Sequence, residues 1–444
     1  MRILERLLAG LKDACAAFPD RRHGDAVYSM ADIGLSAFSL FFTQSESFLA
    51  CQRSLEDQRK TSNCQTLFGI ARIPTNATIR SLLDLVHPSH LQGPFDQAVA
   101  VIRGRGGVQA FERLGGRALI AFDGTEFFCS QKLGCAQCQT RKRANGKTDF
   151  YHCMLAASLV APGHTLVLPL MPEFIVKPDG ADSSTSAQKQ DCERNAAKRW
   201  LIAHGERVKD LRPVYLGDDL FACQPICEAV LAAGGDFLMT AKPDSHVALY
   251  DFMKGAELEE MAVTRKEANK KLTYRYRWFS GAPLREGRDA LGKDALNVNW
   301  IGVTISDARG KVAYASAFVT SLAVSRANAA EIAACARARW KIENGTFNVL
   351  KNNGYHLEHN FGHGKRHLAV TFAAMNLLAF AFHTVCDCLE DLWTAARQAK
   401  RARKRFFEHI RTITAYLVFP NWDSLMTSLI KSKPPPEIEM QIGA

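Results

Sequence analysis

Arg117-Ala118-Leu119-Ile120-Ala121-Phe122-Asp123-Gly124-Thr125 is the stretch whose reading decides the fold. Residues 118–122 form an unbroken apolar run, too short for a helix and suited to a strand buried on both faces. The run meets Asp and Gly, which stop strands in turns. The expectation is a buried strand that ends in a turn and projects the Asp123 carboxylate from the carboxyl edge of a sheet.

Working outward, residues 150–160 and 164–171 read as two further strands, joined by Ala161-Pro162-Gly163 as a hairpin. Residues 191–204 read as a helix, and 213–217 as a strand running into Asp218-Asp219. A helix over 225–233 and a strand over 236–241 follow, and this alternation predicts an α/β mixed sheet with flanking helices. Between about 245 and 325 the helical signal fades. Residues 272–279, 298–305 and 312–321 alternate like strands, so a β-rich insertion is expected there. A long helix over 327–351 and another over 365–389 come next. The remainder is helical until Lys433-Pro434-Pro435-Pro436, where a frayed tail is expected.

Toward the N-terminus, residues 1–110 read as all helical. Apolar residues recur at helical spacing over 2–18, and 30–50 is an apolar stretch. Pro74-Thr75-Asn76 supplies a cap for a helix over 77–86, which Pro88 closes. Residues 102–107, with three glycines, read as a linker.

The chain has 444 residues, 47% hydrophobic and 23% charged, which excludes a disordered or collagen-like chain. Its net charge of +11 makes a polyanion the expected partner, nucleic acid before membrane. Thirteen cysteines and no apolar leader at 1–18 point to reduced thiols in the cytoplasm. Residues 368–386 contain no Asp, Glu, Lys or Arg, yet Asn376, His383 and many alanines suit a buried helix better than lipid.

Three carboxylates stand where chemistry wants them: Asp123 and Asp218 after strands, and Glu343 within Arg339-Trp340-Lys341-Ile342-Glu343. Taken singly, a strand-end Asp is commonly a turn former, and a helical Glu a solvated surface group. Brought together they make a hard-oxygen site for Mg²⁺ or Mn²⁺. Two such ions about 4 Å apart activate a nucleophile and stabilise the leaving oxygen of a phosphodiester.

This order and the text around Glu343 resemble the DDE transposases of bacterial insertion sequences, specifically the IS4-like group. The resemblance covers about 115–385. It implies an RNase H-like core whose Asp, Asp and Glu are Asp123, Asp218 and Glu343, with Asp219 competing for the middle place. The family's Glu helix carries Tyr-x2-Arg-x3-Glu-x6-Lys; here Arg339 and Glu343 fit, Ala336 replaces the Tyr, and Lys351 comes one residue late. On an ideal helix Arg339 would lie about 40° to one side of Glu343 and Lys351 about 80° to the other. Gly345 inside that helix marks either close approach of DNA or a local break.

Cys135-x2-Cys138 reads either as a zinc knuckle, needing two further ligands, or as free thiols. Cys129 precedes it and His152-Cys153 follows, but adjacent residues on a strand face opposite ways. His356, His359, His363 and His367 lie in a stretch broken by Gly362 and Gly364. That stretch, through Lys365, reads as a loop along the DNA path, or as ordinary packing, rather than a metal array. Basic residues at 397–405, including Arg401, Arg403 and Lys404, and at 141–147 would add phosphate affinity without reading sequence, or form solvated faces. Residues 60–86 are a weak candidate for a helix-turn-helix that grips DNA ends.

The resulting expectation has three parts: a helical N-terminal region at 1–110, a catalytic core at 115–385 and a basic helical C-terminal region at 386–444. The function it implies is metal-dependent cleavage at element ends and strand transfer into target DNA by a transposase. The partners are double-stranded DNA, as terminal inverted repeats and target, and a second copy of the chain, with no membrane. The alternatives are a catalytically silent DNA-binding derivative and an RNase H-like nuclease without strand transfer.

Overall fold

The computed structural model describes residues 2–24, 26–47, 62–176, 191–267, 270–288, 292–430 and 439–440. Its centre is a mixed sheet built on β1 (Arg117–Ser130), β2 (Gln139–Lys142), β3 (Thr148–Val160), β4 (Val214–Gly217) and β5 (Asp236–Thr240), in the order β2-β3-β1-β4-β5. β1 runs antiparallel to β3 and parallel to β4, and β4 runs parallel to β5. Short strands Leu168–Pro169 and Glu173–Ile175 line the outer edge of β3. Helices flank this sheet in the RNase H-like arrangement.

Alternation along β1 sorts its side chains between two layers. Phe122 faces the helix Glu193–Val208, its ring 5.0 Å from Trp200 and 5.2 Å from Tyr215 of β4. Asp123 faces the other way. On that side Ser158 of β3 bonds Thr346 of the segment carrying Glu343, at 3.2 Å.

One expectation about strands needs correction. β1 does not stop in a turn at Asp123. It continues to Ser130 because β3 supplies partners throughout, with Asp123 opposite Ala156 and Ser130 opposite Phe150. What does stop is the parallel ladder to β4, whose last pair is Ala121 and Leu216. The region around 245–325 is β-rich, as expected. β6 (Glu259–Glu267), β7 (Lys270–Pro283), β8 (Asn297–Ser306) and β9 (Val312–Thr320) form an antiparallel run, and β9 pairs with β5. The central sheet therefore extends through them.

The expected helix over 327–351 is interrupted. Ala329–Arg337 is α-helical, Ile342–Phe347 is a π-helical turn and Asn348–Asn352 resumes the α form. Of the two readings of Gly345, the local break is the one observed. A Cβ there would lie 2.8 Å from Val167 Cγ1, so the glycine lets the turn pack closely against the segment that leads into Leu168–Pro169.

In the N-terminal region, Ile3–Ala16, Met30–Phe42, Asn76–Leu83 and Gln92–Gly104 are helices, and their apolar faces share one core with Leu368–Leu389. Thr75 caps Asn76–Leu83 by accepting from the Thr78 amide. The expected linker over 102–107 is partly the end of Gln92–Gly104, with Ile102 buried. Part of the apolar stretch over 30–50, the start of the helix-turn-helix candidate and most of the C-terminal tail lie outside the described residues. Leu368–Leu389 is long and apolar enough to cross a membrane by length and composition, yet 94% of its most apolar window is buried inside the protein. Several of its polar groups find partners there: Asn376 donates to the Tyr355 carbonyl and Thr384 to that of Val167.

Candidate active site

The parallel register of β1 and β4 sets the first two carboxylates side by side. Leu119 pairs with Val214 and Ala121 with Leu216, so the same register continued by two residues puts Asp123 beside Asp218. Glu343 approaches from the π-helical turn across the sheet face. One guanidinium spans the gap: Arg339 donates to Asp123 Oδ2 at 3.3 Å and to Glu343 Oε1 at 2.7 Å.

Asp123 is mostly buried, and its carboxyl is pushed up from 3.8 to about 6. Burial is the main cause, reinforced by the negative charges of Glu343, Asp218 and Glu193 and opposed by Arg339. Glu193 opens the helix Glu193–Val208 and is itself raised, first by burial and then by Asp218. Its carboxylate lies against the β1 backbone at Gly124, where any Cβ would collide with it. Three further carboxylates thus act on Asp123, and among the described residues Arg339 pairs with only Asp123 and Glu343, a deficit of positive charge at a site of hard oxygen donors. That donor set suits Mg²⁺ or Mn²⁺.

Residues 115–381 match the family described as the transposase DDE domain. The chain belongs to that family. No curated protein matches this transposase. The family match covers the sheet, the π-helical turn and most of Leu368–Leu389.

Asp219, the competitor for the middle position, is engaged elsewhere. It accepts from the Lys242 amide at 2.6 Å and the Ser245 hydroxyl at 2.5 Å, and it pairs with His246. Among the described residues Asp218 accepts only a local bond, from the Leu220 amide, and acts on both Asp123 and Glu193. Ala336, in place of the signature Tyr, is buried in Ala329–Arg337. Lys351 is turned to Glu358 at 2.8 Å, since the π turn undoes ideal-helix spacing.

Among the basic residues read as DNA contacts, Arg403 requires correction. Its guanidinium is turned inward, donating to Tyr355 Oη at 3.0 Å and Asp387 Oδ2 at 3.1 Å. Arg397 shares the same buried Asp387, so part of the cluster at 397–405 holds the fold. Arg401, Lys404 and Lys365 are exposed. Arg141 and Arg143 both pair with the buried Asp149.

Sequence reasoning missed Glu193, whose only signal was an acid at a helix start, the commonest of helix features. Cys135 and Cys138 stand apart from the carboxylates, farther along β1 and β3, where His152 and His363 join them.

Proposed function

We propose that this transposase belongs to the IS4-like group of bacterial insertion sequences, and that it cleaves DNA at element ends and joins them to target DNA. Asp123, Asp218 and Glu343 would hold two divalent metal ions, Mg²⁺ or Mn²⁺, with Glu193 behind them. The observation that carries this reading is the crowding of three carboxylates around Asp123, its carboxyl raised to about 6 and Arg339 its one close cation among the described residues. Such an arrangement is stable only when further positive charge arrives.

Bound metal would activate the attacking water or 3′-hydroxyl and offset charge on the leaving oxygen. The protein's part is to hold and orient. Asp123 lies on β1 and Asp218 directly follows β4, the strand paired with β1. Glu343 comes from a turn anchored to β3 through Thr346, which holds it against the sheet. Metal entry would compete with Arg339 for the carboxylates and free its guanidinium to clamp a phosphate bidentately. Cleavage and joining are the same in-line displacement with different nucleophiles, so one site serves both. Exposed Lys365, Arg401 and Lys404 would hold DNA phosphates, and two protomers would pair the two DNA ends.

The test is incubation with linear DNA carrying the sequences that flank the coding region, a plasmid target and Mg²⁺. Joined products are expected. Nicks alone would indicate a nuclease, and a gel shift without either would indicate a silent DNA-binding derivative.

A further inference from the structure

Where β1 and β3 continue past the carboxylates, four side chains from three separate segments meet. Cys135 and Cys138 come from the loop before β2. His152 lies on β3 opposite Phe128, and His363 precedes Leu368–Leu389. We propose that Cys135, Cys138, His152 and His363 form a structural Zn²⁺ site, which staples the β1–β3 pair to the connection that follows the Glu343 segment.

The donor atoms already outline a coordination tetrahedron. The two Sγ atoms are 3.8 Å apart, and the two Nε2 atoms 3.2 Å. Three sulfur-to-nitrogen separations are 3.5, 3.3 and 3.4 Å, and all four donor atoms lie within 4.8 Å of one another. With Zn–S near ~2.3 Å and Zn–N near ~2.05 Å, an ideal tetrahedron has edges of ~3.8 Å, ~3.3 Å and ~3.6 Å for these pairs. The match holds for every kind of edge. The sulfurs are well outside the ~2.05 Å of a disulfide.

The surroundings also fit. His363 Nδ1 is 3.1 Å from the Gly364 carbonyl, the bond that keeps the proton on Nδ1 and leaves Nε2 for a metal. The Cys135 amide donates to Cys138 Sγ at 3.4 Å, supporting a thiolate. Phe127 and Phe128 pack on the imidazoles and shield the cluster from water. Four protein donors close the coordination sphere, which marks a structural rather than a catalytic metal. Cys153 and Cys129 are outside the cluster.

The staple acts on a strained connection. Gly364 has φ +67°, and a Cβ there would collide with the Asp84 carboxylate. That carboxylate accepts from the Lys365, Arg366 and Leu368 amides at the start of Leu368–Leu389. His367 also meets Gln137 at 3.3 Å. Zinc would therefore lock the loop that leaves the Glu343 segment to the same strand pair that carries Asp123.

The test is elemental analysis of the full-length protein, purified under reducing, zinc-replete conditions and then dialysed. One equivalent of zinc per chain is expected. Cys153→Ser should keep it, and Cys135→Ser and His363→Ala should lose it, while His363→Cys, which restores a soft donor to the loop, should recover it. Cobalt added to the metal-stripped wild type should give the intense visible bands of a tetrahedral site with thiolate charge transfer. Wild-type protein without stoichiometric zinc and with only the weak cobalt spectrum of an oxygen-ligated site overturns the proposal. So does full zinc retention by His363→Ala.

Discussion

The β1–β3 strand pair carries two clusters of opposite character. Around Asp123 the groups are hard oxygens crowded into partial burial, with one arginine bridging Asp123 and Glu343. Around His152 they are soft sulfurs and imidazole nitrogens, enclosed by rings. The first is under-neutralised, so it draws in charge and releases it, as chemistry on a charged phosphodiester requires. The second closes a complete tetrahedron and has no position left for a substrate. The lesson is that one sheet separates work from support by donor hardness and by how fully each coordination sphere is filled.

The sharpest break between the two clusters comes from Glu343→Gln. Joining of DNA ends should fall by about 10³-fold or more, because a neutral amide cannot replace a metal-binding carboxylate, while zinc content stays unchanged. Equal loss of zinc would show that the two clusters are one unit.

Next in size is a stability effect with a defined pH window. The fold raises Asp123 from 3.8 to about 6, so it disfavours the ionised form. This group's contribution to stability is complete below pH 3.8 and is lost as the pH rises through about 6. Asp123→Asn cannot ionise. In metal-free buffer at pH 8 it should be more stable to denaturant than the parent by about 3 kcal/mol. The gap should close toward acid, and also when Mg²⁺ is added.

Gly124→Ala probes the fourth carboxylate. The new methyl group would displace the Glu193 side chain without breaking β1, since the strand accepts alanine. Joining should fall about 10-fold, as for groups behind metal ligands, with little change in melting temperature. The smallest effect belongs to Lys351→Ala. Its ion pair with Glu358 is partly exposed, so stability should change by less than about 1 kcal/mol in denaturant melts, and joining only a few-fold.

Much of the core was legible in the sequence because it is local. The apolar runs at 118–122 and 213–217 became β1 and β4, and two of the three carboxylates, Asp123 and Asp218, follow from where those runs end. Other features depend on partners distant in the chain. Asp123 reads as a turn residue until β3 is known to continue beside it. Glu193 reads as a helix-start acid until Gly124 is seen beneath it. His363 was set aside because glycines broke the helical spacing of its neighbours, but a metal ligand in a loop needs no spacing. The objection to using His152 and Cys153 together was sound, since only His152 joins the cluster. Arg403 carried the same composition signal as Lys404. Only the buried Asp387 distinguishes an inward arginine from an outward lysine.

The central claim, that Asp123, Asp218 and Glu343 form the metal-dependent centre for joining DNA, turns most directly on two adjacent residues. Asp218→Asn and Asp219→Asn should be compared in the Mg²⁺-dependent joining of linear ends to a plasmid. The account predicts that Asp218→Asn abolishes joined product, whereas Asp219→Asn retains it, because an amide oxygen can still accept from Lys242 and Ser245. Joining that survives Asp218→Asn and is lost in Asp219→Asn would contradict it.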